Sequence, residues 1–156
     1  MSRLHVFKIT RLTLTQVIQF VETLDHKETV KIVHLVRDPR AIFNSRFKQD
    51  QCMDDECGDM KATCDIMMKD VETYAEMKKQ LPHNLFQIKY EHLAVDPFKY
   101  SKKLFKELNI EFSTEVMSFL KTHTKLSNGE KPSPYSTIND SKKTPLRWMS
   151  EMSINN

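Results

Sequence analysis

The chain has 156 residues, of which 39% are hydrophobic and 29% are charged, and its net charge is +3. This length fits one domain or part of one, and the composition is ordinary for a soluble globular protein. The small positive balance gives no reason to expect a nucleic-acid partner, although it suits a local anion site. No segment approaches the about 20 apolar residues of a membrane span, and the N-terminus has no apolar run of signal-peptide length.

The first quarter of the chain predicts a strand and then a helix. Residues 4–10 alternate in polarity and include β-branched side chains, which favours a short strand. Residues 13–24 place apolar side chains at helical spacing, with Thr13 or Thr15 as the N-cap.

The next segment predicts a buried strand followed by another helix. Residues 30–36 are almost continuously apolar, which is typical of a parallel strand that is buried on both faces. Arg37 ends this strand. Asp38 and Pro39 suit the N-cap and the first turn of the helix that follows.

The middle of the chain predicts a long helix and a second strand. Residues 50–58 are polar and acidic, so we expect a loop there, and residues 59–80 predict a helix that ends before Pro82. A strand is predicted over 85–90 and a loop over 91–96. The expected inner stripe of the long helix is Ala62, Ile66, Met67, Val71, Tyr74 and Met77.

The last third predicts two helices and a polar tail. Helices are expected over 97–108 and 115–122, and residues 124–141 are expected to form a surface loop. We therefore divide the chain into an α/β core over about 4–123 and a C-terminal loop and tail over 124–156. Strands that alternate with helices predict a mostly parallel sheet, and ligands of such sheets bind beyond the carboxyl ends of the strands.

That rule directs attention to Arg37. The planar guanidinium of Arg37 can donate two hydrogen bonds to one phosphate. Ser45 adds a neutral donor about two helical turns further on, and Arg40 and Arg46 add positive charge nearby. These residues predict a site for a dianionic phosphate. The alternative is that Arg37 pairs with a carboxylate while Arg40 and Arg46 lie on a solvated helix face.

The segment LVRDPRAIFNSR, residues 35–46, resembles the 3'-phosphate-binding motif of sulfotransferases that use 3'-phosphoadenosine 5'-phosphosulfate (PAPS). It is most similar to the Golgi carbohydrate sulfotransferases that modify the 6-position of GlcNAc, galactose or GalNAc. Arg37 and Ser45 keep the family spacing. The similarity extends from about residue 6 to 149, including IKYEHLAVDP and YSTINDS with LRWM near the C-terminus.

The resemblance implies a P-loop-NTPase-like sulfotransferase fold with a mostly parallel sheet, and transfer of sulfate from PAPS to a sugar hydroxyl without a metal. It implies that Arg37 and Ser45 hold the 3'-phosphate, with Arg40 nearby, and that Tyr90 lies against the adenine. The alternative for Tyr90 is a core tyrosine at a strand end. We assign no acid–base role to Glu91, which follows it.

The resemblance also covers the C-terminal block. Arg147 and Trp148 match the family and make Arg147 a further cofactor-binding candidate. Asn139 and Leu146 depart from it, since the family usually has an arginine and a tryptophan there. Asn139 also begins an Asn-Asp-Ser glycosylation sequon.

The resemblance further implies a strand, a Gly/Ser-rich 5'-phosphosulfate loop and a general base ahead of this segment. Neither Gly58 nor Gly129 has a suitable context, so we expect this N-terminal strand and loop to be missing and no catalytic residue to lie in the chain. We expect the chain alone to be inactive. The alternatives are a non-catalytic module that binds the product 3',5'-bisphosphate (PAP), and a remnant that folds poorly.

The implied partner is a glycan acceptor whose sugar the sequence does not specify. The implied location is the Golgi lumen, with a membrane anchor that is absent from this chain. The three cysteines, Cys52, Cys57 and Cys64, permit either one disulfide with a free thiol or three reduced thiols, and their spacing gives no reason to expect a zinc site.

Overall fold

A computed structural model describes residues 4–48, 59–126 and 138–152. Within these ranges two strands, β1 (Ile32–Val36) and β2 (Leu85–Lys89), form a parallel pair in which Ile32 lies opposite Leu85. The helices are α1 (Leu14–Glu22), α2 (Pro39–Lys48), α3 (Met60–Gln80), α4 (Tyr90–Val95), α5 (Pro97–Leu108), α6 (Thr114–His123) and α7 (Arg147–Glu151). Short 3-10 turns lie at Lys27–Thr29 and Thr144–Leu146. The predicted α/β architecture with a parallel sheet is confirmed.

Helix α1 begins as its sequence predicts. The Thr13 side chain accepts a hydrogen bond from the backbone N–H of Gln16, and the Gln16 side chain accepts one from the N–H of Thr13. This reciprocal capping box satisfies two donors that the helix itself leaves unpaired.

The strand predicted over 4–10 does not form. Val6 and Phe7 are each 82% exposed, and the segment has no regular structure. An alternating pattern stabilises a strand only when its backbone pairs with a neighbouring strand, and β1 and β2 pair with each other instead.

The main cluster of buried residues lies on one face of the sheet. Leu85 is fully buried, and it packs with Leu14 and Ile18 of α1. The residues packed around these three are Ile32, Tyr74, Met77 and Leu81. Helices α1 and α3 therefore cover the sheet face that carries Leu85.

The prediction that β1 is buried on both faces is wrong. Val33 is 39% exposed and Leu35 is 54% exposed, while the residues that alternate with them are half-buried. Helices α1 and α3 cover the opposite face. Within the described residues, the side chains on only one face of β1 are therefore covered by helices.

Helix α3 has the predicted extent, but its inner face differs from the prediction. Ile66 and Val71 are 50% and 40% exposed, whereas Thr63 is buried. Asp70 accepts a hydrogen bond of 2.8 Å from the backbone N–H of Leu14, at the start of α1. The contact with α1 is therefore partly polar, which an apolar stripe does not reveal.

The loop predicted over 91–96 is wrong, because α4 begins directly after β2. Its sequence has no glycine or proline, and Ala94 is buried. Helix α4 ends at Val95. The side chain of the next residue, Asp96, accepts a hydrogen bond from the N–H of Lys99 and so caps α5, which begins at Pro97 as predicted.

The C-terminal segment contains a helix that the sequence pattern does not predict. Helix α7 packs against α2, and the Asn44 Nδ2 donates a hydrogen bond of 2.7 Å to Glu151 Oε2.

Cys64 is a half-buried free thiol, whereas Cys52, Cys57, the 50–58 loop and most of the 124–141 loop lie outside the described residues. Within the described ranges, no helix has the length and apolar composition that crossing a membrane requires.

Candidate functional site

Arg37 and Tyr90 meet at the carboxyl edge of the sheet. Val36 and Lys89 are opposite each other as the last residues of β1 and β2, so the next residues leave adjacent strands side by side. The guanidinium carbon of Arg37 lies 4.5 Å from the centroid of the Tyr90 ring. Two residues that the sequence predicted for one site are thus in contact.

Arg37 has no carboxylate partner among the described residues. Its side chain is half-buried, and its Nε–H is buried without a hydrogen-bond acceptor in the part of the chain that the structure describes. The alternative in which Arg37 pairs with a carboxylate is therefore not what these residues show. A guanidinium that forms no ion pair with the described residues is suited to an anionic ligand.

Glu91 ties the two strand ends together. Its Oε1 accepts a hydrogen bond of 2.8 Å from the backbone N–H of Asp38. The sequence placed Glu91 on a connecting segment without a role. The sequence shows that Glu91 directly follows Tyr90. Only the register of the two strands shows that Glu91 lies beside Asp38.

Asp38 caps the start of α2, as predicted. Its Oδ1 accepts a hydrogen bond of 2.9 Å from the backbone N–H of Arg40, and its two carboxylate oxygens accept the Nε–H and an Nη2–H of Arg40 at 3.0 and 2.7 Å. These hydrogen bonds lower the pKa of Asp38, so the carboxyl group is ionised at neutral pH.

Arg40 is held on its other side by α7. Its guanidinium carbon lies 4.2 Å from the centroid of the Trp148 ring. The positive charge that Arg40 was predicted to add is therefore matched by Asp38. Arg40 and Trp148 join the start of α2 to the C-terminal helix.

Ser45 and Arg147 lie on neighbouring helices. Ser45 is half-buried in α2, and its hydroxyl has no hydrogen-bond partner among the described residues. Arg147 is exposed at the start of α7, which packs against α2. No described contact joins either residue to Arg37.

The site is equipped to bind an anion. Among the described residues Arg37 has no ion-pair partner, and the Ser45 hydroxyl on the next helix has no hydrogen-bond partner. In the part of the chain that the structure describes, no three His, Cys, Asp or Glu side chains cluster as metal ligands would.

Known proteins resemble this chain over most of its length. The sequence model described as "Sulfotransferase domain" matches residues 10–152. "Carbohydrate sulfotransferase 3" of Tetronarce californica is 24% identical over 139 residues, which are 80% of this chain and 31% of that protein. The Mus musculus protein of that name is 22% identical over 153 residues, or 86% of this chain and 32% of its own length.

A second group of relatives gives a similar result. "Carbohydrate sulfotransferase 1" of Danio rerio is 22% identical over 145 residues, which are 83% of this chain and 34% of that protein. The chain thus spans about a third of the length of the curated relatives it matches. No solved structure gives a significant match. Because the domain match covers most of the chain, and the parallel α/β arrangement agrees with it, the chain belongs to the sulfotransferase domain family.

Proposed function

We propose that this chain serves in the transfer of sulfate from PAPS to a carbohydrate hydroxyl, with Arg37 and Ser45 binding the 3'-phosphate of the donor. The names of the relatives support a carbohydrate acceptor. The proposed acceptor class, the 6-position of GlcNAc, galactose or GalNAc, and the proposed location in the Golgi lumen rest on the resemblance of this chain to the Golgi carbohydrate sulfotransferases.

The observation that carries the proposal is the state of Arg37. Its guanidinium lies at the carboxyl edge of a parallel sheet, is half-buried, and has no ion pair among the described residues. Keeping such a charge partly desolvated is unfavourable unless a partner arrives, and a phosphate matches its donor fork. The residues present therefore fit a phosphate group.

The residues of this chain bind and orient the donor in this proposal. When bound, PAPS supplies the sulfuryl group that is transferred, and its 5'-phosphate is the leaving group. Arg37 would neutralise the 3'-phosphate, and the Ser45 hydroxyl would donate a further hydrogen bond to it. Holding the donor in one orientation lowers the barrier to transfer because the entropy of alignment has already been lost on binding. No described residue is assigned a catalytic role.

Titration with PAP tests the binding role. Removing one partner of a hydrogen-bonded charge pair costs about 2 kcal/mol or more, so Arg37→Ala should weaken PAP binding by about 30-fold or more. Ser45→Ala should weaken it by about 10-fold, because it removes one hydrogen bond to a charged group. Lys103→Ala is the matched control: it removes one positive charge from an exposed pair with Glu107 on α5.

A sulfation assay with GlcNAc-, galactose- and GalNAc-bearing acceptors tests the transfer role. Because the chain alone is expected to be inactive, no transfer by the isolated chain is the predicted result. Sulfate transfer from PAPS by the isolated chain would contradict that expectation, and its loss in Arg37→Ala but not in Lys103→Ala would still assign the donor site to Arg37. Wild-type affinity for PAP no better than that of Arg37→Ala would remove the phosphate site itself.

A further inference from the structure

We infer that Tyr90 and Glu91 are positioning residues for Arg37, with the ring of Tyr90 orienting the guanidinium and the carboxylate of Glu91 fixing the backbone beside it. This inference rests on the proposed function, in which the ligand of Arg37 is the donor 3'-phosphate. It gives Tyr90 a role different from adenine contact.

The contacts continue the register of the sheet by two residues. Val36 lies opposite Lys89, and the next residue of each chain segment brings Arg37 against Tyr90. The residue after that brings the backbone N–H of Asp38 to the carboxylate of Glu91. Residues 90–91 therefore lie beside residues 37–38. The contacts between them involve the side chains of Tyr90 and Glu91 and not the backbone hydrogen bonds of a sheet.

The ring of Tyr90 limits the directions in which Arg37 can point. The guanidinium carbon lies over the ring at 4.5 Å from its centroid, and this cation–π contact occupies no carboxylate or carbonyl acceptor, so the Nη donors stay available to a ligand. Among the described residues no carboxylate holds Arg37, and its Nε–H has no acceptor. The Tyr90 ring is thus a contact that orders a long side chain before the ligand arrives, and such ordering raises affinity because less entropy is lost on binding.

Glu91 acts on the backbone. The N–H that it accepts belongs to the peptide group between Arg37 and Asp38, so the hydrogen bond restrains the main chain from which the Arg37 side chain projects. Glu91 forms no ion pair with Arg37 itself, which leaves the charge of Arg37 available. A carboxylate that accepts a backbone N–H is a strong, charge-assisted anchor.

Side-chain nitrogen NMR of the ligand-free chain tests the contact. We expect the Nε–H resonance of Arg37, assigned by its loss in Arg37→Lys, to lie upfield because of the Tyr90 ring current. Tyr90→Leu should move it downfield toward that of exposed Arg11, and Tyr90→Phe should leave it unchanged. A resonance that Tyr90→Leu does not move would overturn the inference, whatever the chain binds.

Binding of PAP and of 5'-AMP, which lacks the 3'-phosphate, tests the consequence. Loss of side-chain ordering should weaken PAP binding about 3- to 10-fold in Tyr90→Leu, with 5'-AMP binding changed less than about twofold. Tyr90→Phe should keep both affinities. Equal losses for the two nucleotides would mean that the ring contacts the adenine, and this would overturn the positioning role.

The same titrations test Glu91. Glu91→Ala should lower PAP affinity relative to 5'-AMP, and Glu91→Gln, which keeps a carbonyl acceptor for the Asp38 N–H, should restore most of it. Failure of the glutamine variant to restore the ratio would contradict the backbone role. If the Arg37 resonance responds to Tyr90 as expected but the wild type does not bind PAP, the contact stands and the proposed function fails.

Discussion

Truncation of Leu85 should destabilise the chain strongly. Leu85 is 0% exposed in β2 and packs with Leu14 and Ile18, so Leu85→Ala removes apolar contacts and leaves a cavity under α1 and α3. Losses for such substitutions at buried leucines are about 3 kcal/mol, within a range of about 2–5 kcal/mol.

Leu35→Ala is the matched control, because Leu35 lies in the partner strand but is 54% exposed. Its truncation leaves no enclosed cavity, and we expect a loss of about 1 kcal/mol from the reduced apolar burial. Urea unfolding followed by far-ultraviolet circular dichroism measures both free energies. Equal losses for Leu85→Ala and Leu35→Ala would refute the assignment of the core to one face of the sheet.

Three further predictions concern the surroundings of the site. Asn44→Ala and Glu151→Ala should each lower the free energy of unfolding in urea by about 1.5 kcal/mol. The double variant should lose less than the sum of the two, because both substitutions remove the same hydrogen bond. Additive losses would contradict the α2–α7 link. Asp38→Ala should cost about 1 kcal/mol by uncapping α2, whereas Asp38→Asn keeps an acceptor and should cost less; equal unfolding midpoints for the two would count against the cap. Burial lowers the pKa of His34 below its ordinary 6.5, with Asp70 opposing. The unfolded chain therefore takes up this proton first, so the unfolding free energy should fall as pH drops below 6.5, and His34→Gln should reduce that slope in a pH series; an unchanged slope would contradict the burial effect.

The starts of the helices were predictable because their signals are local. Thr13 caps α1 through a residue three positions away, and Asp96 with Pro97 begins α5 in the same short-range manner. Ser113 likewise caps α6 by accepting the N–H of Val116. Each of these interactions involves side chains within one turn, so the sequence pattern contains them.

The errors arose where a segment depends on distant partners. The 4–10 segment has strand-like alternation but pairs with neither β1 nor β2, and Leu35 has the side chain of a buried residue on a face that α1 and α3 do not cover. Helix α7 was missed because its contacts, such as Asn44 with Glu151, join positions far apart in the chain.

The site was predictable in its residues and not in its contacts. The position of Arg37 after an apolar strand, and its spacing to Ser45, are visible in the sequence. The contact of Arg37 with Tyr90 requires the register of β1 against β2, which no local pattern specifies. The ion pair between Arg40 and Asp38 likewise depends on the geometry of the first turn of α2.

Calorimetric titration of PAP into the wild type, Arg37→Ala and Lys103→Ala at one ionic strength tests the central claim most directly. A 3'-phosphate bound by Arg37 predicts that Arg37→Ala binds PAP about 30-fold or more weakly, while Lys103→Ala stays within about twofold of the wild type. Equal PAP affinity in the wild type and Arg37→Ala would contradict the claim that Arg37 forms a phosphate site.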